Sequence, residues 1–463
     1  MISRRTRVAW LVGVLCLHSF GAERAAARSR VAVRAPIGAE ELQQKMLDLS
    51  AAGGGVLLLP KNSTMTSTVH SITYKGRISP HALLVPEDVV LDLNDSTILL
   101  DLRSNSYGVR LASRATVRNG TIRLIRSEGS GSQRIWHAPV SVGAAYGDGG
   151  TPEAPSYFSR VVGWRMENLT IDQPFDKSAI QLMSEAANGM ISDIRIADSA
   201  SAPIGIGLDW GTVGPLDMKD ERQKEMRLLF VEGRLYGTHP HDILIKKIRI
   251  GRLAGHRDDD DSVGIRTSGC YNITIEDLEV LQAGVGVAVH AGDAGFEYAL
   301  QPHRGIGHAA YLIKNVKVHK ALRKGIIIDG IADNVYRAIR NHGHQSLLSP
   351  VSPGIDQPLV RNAWLRGGEF VGESGVMVQF ATGVKLEGID AGEFQKGIHL
   401  RDWTKKVTVS QSRIHDNNTG VVVSGSERKP EEVLLTRNRF YRNGKDLQKS
   451  GGDVRESKNL YTE

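Results

Sequence analysis

Short apolar strands, each opened by a glycine, recur along this chain at a nearly constant spacing. Gly264-Ile-Arg-Thr-Ser268 is followed 22 residues later by Gly286-Val-Ala-Val-His290. Gly375-Val-Met-Val-Gln379 precedes Gly397-Ile-His-Leu-Arg401 by 22 residues, and Gly420-Val-Val-Val-Ser424 comes 23 after that. Gly205-Ile-Gly-Leu-Asp209 and Gly325-Ile-Ile-Ile-Asp329 have the same form. A unit of this length cannot bury its own apolar side. It has to stack on copies of itself, which makes the chain a solenoid. The high glycine content, 50 of 463 residues, and the low aromatic content, 6%, agree with many short strands and tight turns.

A second series lies between the glycine-led strands: "NLTI" at 168–171, "NITI" at 272–275, "NVKV" at 315–318, "VKLEGI" at 384–389 and "VTVSQSRI" at 407–414. Asparagine tolerates the left-handed backbone that a sharp corner demands. Stacked asparagines can also hydrogen-bond as a ladder. The series is expected to mark the corners of each coil. A leucine-rich repeat is disfavoured, because its leucine spacing and its helix per repeat are missing.

Counted from the glycine, positions +1 and +3 are mostly apolar, as in Val287/Val289 and Ile326/Ile328, and are expected to face inward. Position +4 reads Asp209, Ser268, His290, Asp329, Gln379, Arg401 and Ser424, polar throughout, with Arg266 and His399 at +2 beside it. Coils stack about 4.8 Å apart, so adjacent members of this outward column can converge on one sugar unit. Asp209, His290, Asp329 and Arg401 are therefore candidate substrate-binding residues. An outer face is polar in any case, so a purely structural column is the competing reading. Long insertions are expected at about 125–160, 210–241, 291–308 and 337–357, where binding function tends to lie.

At the N-terminus, Arg4, Arg5 and Arg7 precede the apolar run 8–17 and small residues follow, the form of a secretory signal over residues 1–27. A secreted or periplasmic location is the expectation. Removing this segment takes Cys16 with it and leaves Cys270, so no internal disulfide is available and Cys270 reads as a buried small residue. The remaining chain is mildly basic. It lacks a concentrated basic stripe with interleaved aromatics, so an anionic polysaccharide fits better than nucleic acid. No later segment reads as membrane-spanning, and the oligomeric state is open. Residues 39–50, "AEELQQKMLDLS", carry apolar positions on one helical face and suit a cap on the first coil. Residues 28–445 are read as one domain, with 446–463 as a polar tail.

The capping helix, the "GGG" turn, "VVLDLNDSTI" at 89–98 and "VRNGTI" at 117–122 resemble the opening of the pectin lyase-like superfamily. The resemblance runs from residue 38 to about 445. It implies an all-β fold, a right-handed parallel β-helix with an N-terminal capping helix. That superfamily includes lyases, hydrolases, epimerases and non-enzymatic adhesins, so activity must come from the site. "YGTHPHD", 236–242, is similar to the catalytic motif of the mannuronan C5-epimerases, Tyr-Gly-x-Asp-Pro-His followed by an acidic residue. Tyr236, Gly237, Pro240, His241 and Asp242 match, while His239 replaces the family's aspartate.

The resemblance implies abstraction of the proton at C5 of a uronic acid, by an epimerase or a lyase. Catalytic candidates are Tyr236, His239, His241 and Asp242, with Arg266 neutralising the substrate carboxylate. Two alternatives stay open. One is a non-catalytic glycan-binding β-helix, in which Asp242 is a corner residue, as its alignment with Asn272 suggests. The other is a hydrolase, disfavoured because the outward column offers only Asp209 and Asp329 as carboxylates. No cofactor is expected. The acidic run "HRDDDDS", 256–262, offers calcium ligands as a lesser alternative.

Overall fold

The computed structural model describes residues 29–34, 36–103, 106–128, 138–144, 156–172, 178–199, 204–209, 239–254, 262–290, 311–330, 360–425 and 429–462. Their strands stack in a single parallel array. The one antiparallel pair among them is His70–Tyr74 with Arg77–Val85 near the N-terminus. Each full coil has three faces. Residues 243–246 and 273–276 lie on the first face, 248–252 and 278–282 on the second, and the glycine-led strands on the third. The fold is all-β, a parallel β-helix, as the repeat predicts.

Inward positions stack by type from coil to coil. Ile191, Ile245, Ile275, Ile313, Leu365, Leu386, Val409 and Leu435 pair in register down the first face, and all are fully buried. Each contributes roughly 1.5–3 kcal/mol of transfer free energy. The leading glycine of the third face has a steric cause. A Cβ on Gly264 would lie 2.5 Å from the Gly286 carbonyl oxygen, and one on Gly286 would lie 2.6 Å from that of Gly325. Any larger residue would push successive coils apart at this edge.

The corners use left-handed backbone. Asn119, Asn168, Asn188, Asp242, Asn272 and Asn315 all have φ between 49° and 60°. Asn168 donates to Asn119 at 3.1 Å, and Asn272 donates to Asp242, the ladder expected of stacked corners. The asparagine-led segments do not form one series, however. Tyr311 pairs with Ile273, which places Asn315 beside Asp277 rather than Asn272. "NLTI" and "NVKV" open the second face, whereas "NITI" opens the first. These two coils each have two such corners five residues apart, at 242 and 247 and at 272 and 277, and a segment with apolar residues at its first and third positions follows both.

The helix Ala39–Ala51 buries Leu42, Met46 and Leu49 against the first coil, as a cap should. Two boundaries differ from expectation. The stretch 125–160 is not one insertion, because Val140–Val142 supplies a third-face strand within it. Residues 446–462 are not a tail. Lys445–Lys449, Val454–Ser457 and Leu460–Thr462 add a further coil, pairing with Thr419–Ser424, Glu431–Thr436 and Arg439–Tyr441. Polar composition hid this coil, because an end coil buries only one side. Residues 1–28, the proposed signal among them, lie outside the described residues.

Candidate functional site

The outward column of the third face is built as the alternation predicts. Asp209, Ser268, His290, Asp329, Gln379, Arg401 and Ser424 pair in register on successive coils. The strand containing Asp209 ends there, and the next described residue is His239, at the corner into the first face. His241 pairs with Tyr271, so His239 stands level with Gly269, which directly follows Ser268. The strands Ile204–Asp209 and Tyr271–His290 both end at this same corner.

Two groups of polar side chains border the corner. In the first, Arg266 donates from Nη2 to Asp209 Oδ2 at 3.0 Å, with both side chains largely shielded, 28% and 14% exposed. Arg266 Nε is buried and, among the described residues, makes no hydrogen bond. On the next coil the same holds for His290 Nδ1. Burial pulls the His290 pKa down to about 4, helped by the charges of Arg266 and Lys324, so the ring is neutral. Further along, Gln379 donates to Asp329 at 2.5 Å and both are buried. Beside them Val285, Ala288, Ile327 and Met377 form an outward-facing apolar cluster that is also buried. Arg401 is held by Asp402 at 2.8 Å and lies four coils from Ser268, about 19 Å at the usual strand spacing. Asp209, Arg266 and His290, on successive coils, come together, and Arg401 stands apart.

The second group is the opening of the first face. His241 donates from Nδ1 to Asp242 at 2.6 Å, its Nε2 lies 3.5 Å from Glu185, and its ring stacks on Tyr271 with centroids 4.6 Å apart. Burial alone would lower the His241 pKa, but Glu185 and Asp242 outweigh it and raise it above the usual histidine value. His239 is buried, and desolvation followed by the charge of His241 lowers its pKa to about 3. Tyr236 lies outside the described residues, as does nearly all of the acidic run at 256–262. Among the described residues no group of three or more His, Cys, Asp or Glu side chains is arranged to hold a metal ion. Cys270 is buried, and desolvation raises its pKa strongly, the behaviour of a packed thiol rather than a nucleophile.

Glu185 and Tyr271 are absent from the residues singled out in the sequence. Tyr271 was visible in the alignment of "HDILI" with "YNITI", where tyrosine and histidine share a position. Glu185 carries no such sign, since it comes from the preceding coil.

A family model described as "Right handed beta helix region" matches residues 305–461. No curated protein matches the chain significantly. Among solved structures, the chain is similar to a tailspike protein double mutant of E. coli bacteriophage HK620, at 10% identity and TM-score 0.50, over 94% of this chain and 64% of that one. It is also similar to the Azotobacter vinelandii mannuronan C-5 epimerase AlgE4 A-module, at 13% identity and TM-score 0.48, over 90% and 95% of the two chains. The catalytic domain of a GH87 alpha-1,3-glucanase in complex with nigerose aligns at 9% identity and TM-score 0.43, over 93% and 68%. At such identities the likeness concerns the fold, a right-handed parallel β-helix.

Proposed function

We propose that the protein is a carbohydrate-active β-helix that abstracts the C5 proton of a uronic-acid residue in an anionic polysaccharide, as an epimerase or a lyase. One observation carries the reading. Arg266 presents a shielded guanidinium on the outer face, oriented by Asp209, with a buried Nε–H that makes no hydrogen bond among the described residues. Buried donors are nearly always satisfied, so an unsatisfied one calls for a partner. A carboxylate is the partner that the planar guanidinium fits best.

The chemistry follows from that pairing. The C5–H of a uronate is weakly acidic because the adjacent carboxylate is negative and resists a second charge. Arg266 lowers this barrier by neutralising the carboxylate as charge develops. A neutral histidine then takes the proton. Return of a proton from the other side inverts C5, and loss of the C4 oxygen gives an unsaturated sugar. Hydrolysis fits less well. Asp209 and Asp329 lie three coils apart, about 14 Å, whereas glycosidase carboxylates are about 5–9.5 Å apart.

The test is proton NMR in D₂O with polymannuronate, alginate, polygalacturonate and a glycosaminoglycan. Loss of a C5 proton signal, or a new vinylic one, is expected with one of them. New reducing ends without either change would point to a hydrolase. No change with any polymer would leave glycan binding as the better description.

A further inference from the structure

The molecule holds its own control for the role of His241. At another corner His415 sits in the same surroundings. Its Nδ1 donates to Asp416 at 2.6 Å, its Nε2 reaches Asp390 at 2.7 Å, and its ring stacks on Tyr441 with centroids 4.7 Å apart. The registers agree as well. Glu185 stands two residues before the partner of His241, Ala187, and Asp390 stands two before the partner of His415, Gly392. Tyr271 and Tyr441 pair with the two histidines from the following coil. Asp242 and Asp416 have the same left-handed φ of 54°. The interplanar angle is 8° in both stacks.

His415 lies at the corner from second to third face, away from the Asp209–Arg266 pair. A local arrangement built twice, once far from the candidate site, is a way of closing a corner: a histidine bridges two carboxylates and covers a tyrosine. A histidine held between two carboxylates also has no free ring nitrogen with which to take a proton.

We infer that His290, rather than His241, accepts the C5 proton, and that the Glu185–His241–Asp242–Tyr271 group is a fold-building corner. The inference rests on the uronate reading given above. His290 meets the geometric needs of a base. It points outward, since Val289 beside it is buried in the core. It follows Ser268 in the column, one coil after the strand that carries Arg266. The residue is partly exposed, and its Nδ1, on the buried side of the ring, makes no hydrogen bond among the described residues. A substrate whose carboxylate pairs with Arg266 places the neighbouring C5–H on the adjacent coil, where His290 stands. In the step, the C5–H bond breaks, its electron pair delocalises into the carboxylate held by Arg266, and the proton forms a bond to the imidazole.

Three variants test the assignment: His290→Gln, His241→Asn and His415→Asn, each assayed for C5 exchange in D₂O and for folding by circular dichroism. His290→Gln is expected to fold and to lose exchange at least 100-fold. His241→Asn and His415→Asn are expected to lose similar stability and to retain exchange within a few fold. Exchange that survives in His290→Gln but disappears in a folded His241→Asn overturns the assignment while leaving the uronate reading intact. A wild-type protein that exchanges no C5 proton on any polymer overturns both.

Discussion

If His290 is the base, the pH at which proton abstraction fails on the acid side identifies it without any mutation. A base works only when unprotonated. Burial, Arg266 and Lys324 hold His290 at about 4. The rate of C5 exchange should then stay at about 90% of its plateau at pH 5 and fall to about 9% at pH 3. His241 would behave differently, because Glu185 and Asp242 raise it above about 6.5. Were it the base, exchange at pH 5 would already be below about 3% of plateau. The two outcomes at pH 5 differ more than 30-fold. The assay is the initial rate of C5 deuteration across pH 3–9, divided by the folded fraction from circular dichroism in the same buffers. That division is needed because His239 and His290 are both held neutral, with pKa values of about 3 and about 4. Each binds a proton more readily in the unfolded chain, so stability rises with pH between about 4 and 6.5, by about 1.4 kcal/mol per unit for each. An acid limb centred above pH 6.5 on a folded protein, with no step near 4, would refute the assignment of His290.

Two further outcomes follow from the corner geometry. Asp242→Asn should keep the corner backbone, because Asn272 occupies the same corner one coil on with nearly the same φ, and should lose only the charge on the hydrogen bond to His241, about 0.5–1.5 kcal/mol, whereas Asp242→Val, which removes that bond and puts a β-branched residue at φ 54°, should cost about 1–2 kcal/mol more. Urea unfolding of the two variants measures the difference, and equal stabilities would show that the corner does not depend on this φ. His241→Asn and His415→Asn should each lose about 1.5–3 kcal/mol at pH 6 through lost charged hydrogen bonds. The raised pKa of His241 adds a sign: its contribution is complete below about pH 6.5 and fades as pH climbs through the folded value, so the gap between wild type and His241→Asn should narrow at pH 9. A gap that widens with pH would contradict the ion-paired state of His241.

Much of this molecule is readable from its sequence because a solenoid is locally encoded. The spacing of the glycine-led strands, the alternation of Ile265, Val287 and Ile326 with outward polar residues, and the left-handed asparagines each depend on a few neighbouring residues. Their consequence, one stacked parallel coil after another, follows from the need to bury the inward face. Even the order of the outward column, from Asp209 to Ser424, follows from strand alternation once the glycines are aligned. The sequence by itself also marked Asp242 as a possible corner, through its alignment with Asn272.

Other features depend on contacts between coils, which no single stretch of sequence contains. "NITI" and "NVKV" look alike, but the pairing of Tyr311 with Ile273 puts them on different faces. Glu185 reaches His241 from the preceding coil and Tyr271 from the following one, which turns a run of polar residues into a closed corner. Charge state is decided in the same way. His241 lies between two carboxylates and His290 near two cations, so two histidines of one sequence are driven in opposite directions. A residue's pKa reflects what surrounds it in space, and in a β-helix most of those neighbours come from the coils above and below.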